Sequence, residues 1–222
     1  MSIDQYASEQ DVLPESDALT SRQRIVGGAA FCSTGVALVI HILTGSPLWL
    51  VLGLVSLIAV LGVVVSHSHF DSVRSTLGPL LRRGVVVGVA GTAVYDASRW
   101  VLVQVGGLEL SPFEALPFFG QALLGTDTEG WAASVAGIAY HLANGVTFGV
   151  AFVIWFGRRS WWWGIVFALG LEVFMLALYP GWLDVRSVGE LTQVSLVGHF
   201  AYGATLGLTS RLLRPTNGAA DG

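Results

Sequence analysis

The sequence predicts an all-α integral membrane protein, a bundle of six transmembrane helices. Three observations carry that reading. Only 12% of the 222 residues are charged and the mean hydropathy is +0.67, against about 25% charged residues in an ordinary soluble domain. Six apolar runs are each long enough to cross the roughly 30 Å hydrocarbon core of a bilayer. The basic residues, all arginine, cluster in alternate connections between those runs.

Residues 1–24 hold Asp4, Glu9, Asp11, Glu15 and Asp17 with little apolar content, and such a segment is predicted to be a disordered, solvated tail. Two spans follow within residues 25–66: Ile25 to Thr44 and Pro47 to Ser66. The Gly45-Ser46-Pro47 turn separates them, a strong stop signal. Residues 84–213 make a four-helix core, with spans Gly84 to Gly106, Trp131 to Phe156, Trp161 to Tyr179 and Gln193 to Leu213. Residues 214–222 are a second disordered tail.

Between the third and fourth spans lies the longest connection. Ser111-Pro112-Phe113-Glu114 has the spacing of a capping box with proline at the first helical position. Phe113, Leu116, Phe119 and Leu123 then recur at helical spacing, which predicts a short interfacial helix on the outer membrane surface. Pro117 is expected to kink or shorten it. An amphipathic connector and a lid over a pocket both fit this pattern.

Arginine placement orients the bundle. Arg22 and Arg24 precede the first span, and Arg74, Arg82 and Arg83 lie between the second and third. Arg158 and Arg159 follow the fourth, and Arg211 and Arg214 close the sixth. The opposite connections carry Glu109, Glu114, Asp127, Glu129, Asp184 and Glu190, with Arg186 alone against them. The positive-inside rule therefore predicts a plasma-membrane protein with both termini in the cytoplasm.

Five ionisable residues interrupt the apolar runs: Asp96, Arg99, His141, Glu172 and His199. Leu or Val would cross hydrocarbon more cheaply by several kcal/mol, so intramembrane charges are functional candidates. At 1.5 Å per residue, Asp96, Arg99 and Glu172 lie about 18, 22 and 17 Å from the inner edge. His141 and His199 lie about 15 and 10 Å below the outer edge, so all five share one slab. Tyr140, Asn144 and Tyr202 are their polar neighbours in sequence.

The histidines also head small-residue seams, His141-x-x-x-Gly145-x-x-x-Gly149 and His199-x-x-x-Gly203-x-x-x-Gly207, while Gly84-x-x-x-Gly88 opens the third span. Residues four apart stack on one helix face, and glycine lets membrane helices approach closely. A bundle pinched at the inner side and open outward is expected. Asp96 then His141, and Glu172 then His199, repeat an acid-then-histidine order that suggests a parallel internal duplication.

Asp96 and Arg99 are i, i+3 neighbours able to neutralise each other on one face; alternatively Arg99 is a fixed cation for an anionic group. Glu172 has no cation on its own helix, so it is either protonated or paired across the bundle. His67-x-His69 with Asp71 has a metal-like spacing but more simply ends a solvated helix. His41 carries no specific signal. Cys32 is a small apolar residue at the start of a span and excludes an intrachain disulfide.

The last four spans resemble small uncharacterised polytopic membrane proteins grouped as a domain of unknown function. Carrying this are Gly88-x-x-Gly91-Thr92, the Tyr140-His141 seam and His199-x-x-Tyr202-Gly203-x-x-x-Gly207. The resemblance covers roughly Gly84 to Leu213 and implies no activity.

Three functions compete. The first is an outward pocket for proton-linked binding or transport of a small molecule or ion, for which six helices would call for a homodimer. The second is a redox or metal protein, with His141 and His199 ligating haem or a divalent metal. The third is a non-catalytic assembly subunit in which the polar residues only lock helices. No Ser-His, Cys-His or zincin spacing defines an enzymatic reaction, and the dispersed arginines form no nucleic-acid patch. The bilayer itself is the one partner the composition requires.

Overall fold

The computed structural model describes residues 19–67, 70–183 and 187–214, with side chains omitted for 70–76. The eight helices, in chain order, are α1 (Ser21–Phe31), α2 (Ser33–Thr44), α3 (Leu48–His67), α4 (Phe70–Gly106), α5 (Ala115–Leu124), α6 (Gly130–Phe156), α7 (Trp162–Trp182) and α8 (Val188–Leu212). No strand occurs among the described residues. Four helices are long and apolar enough to cross a membrane: α3, α4 from Leu77 onward, α6 and α7. The bent pair α1–α2 makes a fifth when taken as one span. At 25 residues α8 has the length but is less apolar, carrying Glu190, His199 and several hydroxyls.

Large apolar side chains cover the outside. Leu54, Leu57, Ile58 and Val65 of α3, Val173 and Phe174 of α7 and Trp131 of α6 are all exposed. A water-soluble monomer rarely leaves such continuous apolar area bare, whereas lipid covers it at no cost. The chain is compatible with a multi-pass membrane protein on this ground.

Several boundaries differ from the sequence reading. The first span is two helices bent by 54° at Cys32, because Ser33 and Thr34 offer polar groups at the bend. Tyr140 Oη donates to the Thr34 carbonyl at 2.7 Å, and the Thr34 and Thr147 hydroxyls meet at 2.9 Å. Such side chains satisfy backbone that a bend opens. The helix also starts at Ser21, inside the predicted tail, because Thr20 and Gln23 close a reciprocal capping box. Residues 1–18 and 215–222, and with them most of both predicted tails, lie outside the described residues, as do Ser68, His69, Asp184 and Arg186.

The predicted inner connection before Gly84 is helical. α4 begins at Phe70, and Leu77 and Leu80 hold this extension in the main apolar core with Leu19 and Ile154. At its far end Gly107 (φ +60) closes α4, with the Leu108 N–H returning to the Val103 carbonyl. α8 starts earlier than Gln193 because Ser187 caps it, accepting from the Glu190 N–H.

α5 forms, but not across the helix ends. Gly120 lies against the Ala133 carbonyl and Gly137 against the Leu116 carbonyl, so α5 runs antiparallel to the first half of α6. Gly137 is seven residues into α6, about 10 Å along its axis. The Ser111–Glu114 capping box does not close: the Ser111 carbonyl accepts from the Glu114 N–H, and Glu114 makes no side-chain cap. Pro117 falls in the first turn of α5, where its missing N–H has no helical partner to lose, and it does not end the helix.

Two helix pairs make the core. In α4 and α6, Gly149 faces the Gly88 backbone and Gly84 faces Val150. In α7 and α8, Gly164 faces Gly203 and Gly207, and Gly207 faces the Trp161 carbonyl. α4 also packs along α8, whereas α6 and α7 scarcely touch. At one end Arg83 donates to the Gly157 carbonyl and the Ser210 hydroxyl, and Arg214 donates to Gly157 as well. Those guanidinium groups cap the carbonyl ends of α6 and α8, as the helix dipole favours.

Adding a side chain at these seams should be costly. Gly149→Val or Gly207→Val is expected to lose about 1–3 kcal/mol through forced separation of backbones. Gly53→Ala and Gly170→Ala, which meet nothing within 4 Å, should be neutral or slightly stabilising. Thermal melts of the detergent-purified variants check the contrast.

Candidate functional site

Each helix pair carries one acid and one histidine beyond its glycine seam. On α4, Asp96 follows Gly88 by eight residues; on α7, Glu172 follows Gly164 by eight. His141 and His199 each precede their first seam glycine, Gly145 and Gly203, by four. The close seam fixes the register, and the same spacing brings acid and histidine together in both pairs.

His141 Nε2 stands 3.0 and 3.1 Å from the two carboxyl oxygens of Asp96. His199 Nδ1 stands 2.6 Å from Glu172 Oε2, an oxygen that also accepts from the Ser195 hydroxyl at 2.6 Å. The environments differ. Asp96 and His141 side chains are 25% and 18% exposed, whereas Glu172 and His199 are 3% and 11% exposed. Glu172 Oε1 is buried with no hydrogen-bond partner.

Tyr95 ties the two pairs together. Its ring packs 5.9 Å from His141, 5.1 Å from His199 and 6.3 Å from Tyr202, centre to centre. Tyr202 in turn donates to the Gly145 carbonyl at 2.6 Å, joining α8 to α6. The Arg99 guanidinium lies 4.9 Å from the centre of the same Tyr95 ring, a cation–π distance. The predicted alternative of an Asp96–Arg99 ion pair does not form, because His141 takes Asp96 and Arg99 turns toward the cavity.

That cavity fills the gap between α6 and α7, with about 120 Å³ open to water-sized molecules. Thr92, Gly145 and Tyr202 form its deep end, above the seams. Pro112, Leu183 and Leu191 lie at its mouth, the end where α7 finishes and α8 begins. Arg99, His141, Asn144 and His199 face it, while Asp96 and Glu172 stand behind their histidines. Such a volume holds several waters or a small molecule.

Of the residues singled out from sequence, Asp96, Arg99, His141, Asn144, Glu172, His199 and Tyr202 gather here. Tyr140 does not join them; it anchors the bend at Thr34 and packs on Phe119. Tyr95, Ser195 and Gly164 escaped the sequence reading. Ser195 was detectable one turn before His199, Tyr95 one turn before Arg99, and Gly164 by its spacing to Glu172.

The donor set does not suit a cofactor. Among the described residues no three His, Cys, Asp or Glu converge as metal ligands. The histidines are held apart by the Tyr95 ring, each facing its own acid. A cavity of about 120 Å³ is also well below the roughly 300–1,000 Å³ of pockets for drug-sized ligands, so a haem between His141 and His199 does not fit. His67 is buried with Nδ1 near the Val63 carbonyl, inside its own helix end; Asp71, like His69, cannot be placed beside it, since its side chain is outside the described ones.

Breaking the buried pair should cost more than breaking the accessible one. Glu172→Ala is expected to lose about 3–5 kcal/mol, since it strands His199 and Ser195. Asp96→Ala should lose clearly less. Chemical denaturation in detergent, comparing both with wild type, checks the order.

No known family model matches the chain, and neither a curated protein nor a solved structure shows significant similarity to it.

Proposed function

We propose that the protein is a six-span plasma-membrane protein that binds a small molecule in its α6–α7 cavity and moves it together with a proton. The single observation behind this is the pair of acid–histidine contacts flanking one cavity. Each is a group able to hold or release a proton at a wall of the site, and polar sites between repeated halves are where secondary transporters bind substrate. α8 supplies the sixth crossing, since its polar residues face α4 and α7 and not lipid. α5 is a half-span re-entering beside α6. The arginine-rich end is cytoplasmic with both termini, so the cavity mouth opens outward.

Matched spacing in the two helix pairs supports an internal duplication related by an axis along the membrane normal. It also supports kinship with the small polytopic proteins that residues 84–213 resemble. The exposed face of α3 suits a homodimer, which gives a six-helix unit the mass to rock around a central site.

One observation favours a second reading, an assembly subunit. Both acid–histidine contacts bridge two helices, as pure locks would. The transport reading differs in needing Arg99, which locks nothing.

Two experiments test the proposal. On a Cys32→Ser background, Thr126→Cys should react with an impermeant maleimide on intact cells and Ser160→Cys only after lysis. In liposomes containing a pH-sensitive dye, a panel of small acids, amines and neutral solutes is added outside, with protein-free vesicles as blank. At least one solute should drive proton movement that Glu172→Gln abolishes. Flux identical in that variant for every solute sinks the transport reading.

A further inference from the structure

The cavity holds one cation with no anion beside it. Among the described residues Arg99 makes no ion pair, and its Nε is buried without a hydrogen-bond partner. Every acid within reach is otherwise placed. Asp96, one turn away on α4, faces His141, and Glu172 faces His199 and Ser195. Glu114 lines a second recess of about 20 Å³ with Arg99 but does not pair with it. A guanidinium withdrawn from water and left unpaired is costly, and the Tyr95 ring offsets only part of that.

We propose that Arg99 anchors a small organic monocarboxylate, which deepens and rests on the reading of this cavity as a ligand site. The planar guanidinium fork matches a carboxylate through two parallel hydrogen bonds. One negative charge fits and two do not, because Asp96 and Glu172 already flank the site and would repel a dianion such as phosphate. The body of the ligand is apolar, since Phe119, Phe148, Leu171 and Met175 supply the walls. Asn144, whose amide oxygen is buried without a partner, offers one further polar contact. The volume limits the occupied part of the ligand to a small acid or to the head of a longer one.

Radiolabelled benzoate binding to the detergent-purified full chain tests this, with benzamide as the uncharged competitor of the same shape. Benzoate should bind and unlabelled benzoate displace it, with benzamide at least tenfold weaker. Arg99→Gln should weaken binding tenfold or more, and Arg99→Lys, which keeps the charge and loses the fork, by less. Competition by butyrate and by oleate separates the two sources: preference for butyrate assigns a water-soluble acid, preference for oleate a lipid carboxylate. Equal competition by benzamide, or benzoate binding unchanged in Arg99→Gln, overturns the proposal. If Arg99→Gln does not fold, the wild-type comparison of acid with amide and the lysine variant decide. Benzoate binding without proton movement in liposomes leaves the ligand class standing and removes transport. Proton movement with other solutes but no benzoate binding removes the ligand class alone.

Discussion

The approach of two backbones at glycine is the constraint on which the rest of this structure depends. Lipid offers no hydrophobic reward for bringing helices together, so contact must come from close packing. At Gly88 and Gly149 in one pair, and Gly164, Gly203 and Gly207 in the other, a Cβ would overlap the facing chain. That tightness sets both spacing and register. With the register fixed, an acid eight residues along one helix meets a histidine four residues along the other, twice. Neither contact would survive a slip of one residue, which would rotate the side chain by about 100° around the helix.

Low dielectric then shapes what these contacts are. A carboxylate alone in hydrocarbon is costly, and a histidine hydrogen bond relieves it without placing a permanent cation beside it. The two pairs use this differently. Glu172 is sealed, with Ser195 adding a second hydrogen bond, so it behaves as part of the core. Asp96 and His141 keep partial access, and theirs is the pair that can exchange protons with the cavity contents. Arg99 has no such relief, and that asymmetry separates a ligand site from a set of helix locks.

Much of this was legible in the sequence. Hydropathy placed the apolar runs because burial in lipid requires continuous apolar length. The depth estimate put the five ionisable residues in one slab because helical rise is nearly constant. What depth cannot supply is partner choice. Asp96 and Arg99 sit one turn apart and invite pairing, yet the tertiary contact with His141 outcompetes it. The bend at Cys32 was hidden for a related reason, since the stabilising hydroxyls belong to Tyr140 and Thr147, more than a hundred residues away. Tyr95 was missed because an aromatic residue in an apolar run carries no signal until its neighbours are known.

α5 shows why the cavity has its shape. A segment lying flat on the surface would leave the α6–α7 gap open along its whole height. Glycines 120 and 137 instead let α5 stand against α6 at backbone distance. Phe119 is thereby stacked on Trp182 and packed against Tyr140 and Tyr179. The chain leading into α5 is tied to α8 by the Leu110 N–H, which donates to Glu190 at 2.9 Å. Pro112 and Phe113 are thus held at the cavity mouth by one hydrogen bond on one side and an aromatic cluster on the other. Passage past that mouth needs only the loop to move, with both glycine seams intact. The seams bear the structural load, and the loop is the one boundary of the cavity that can yield.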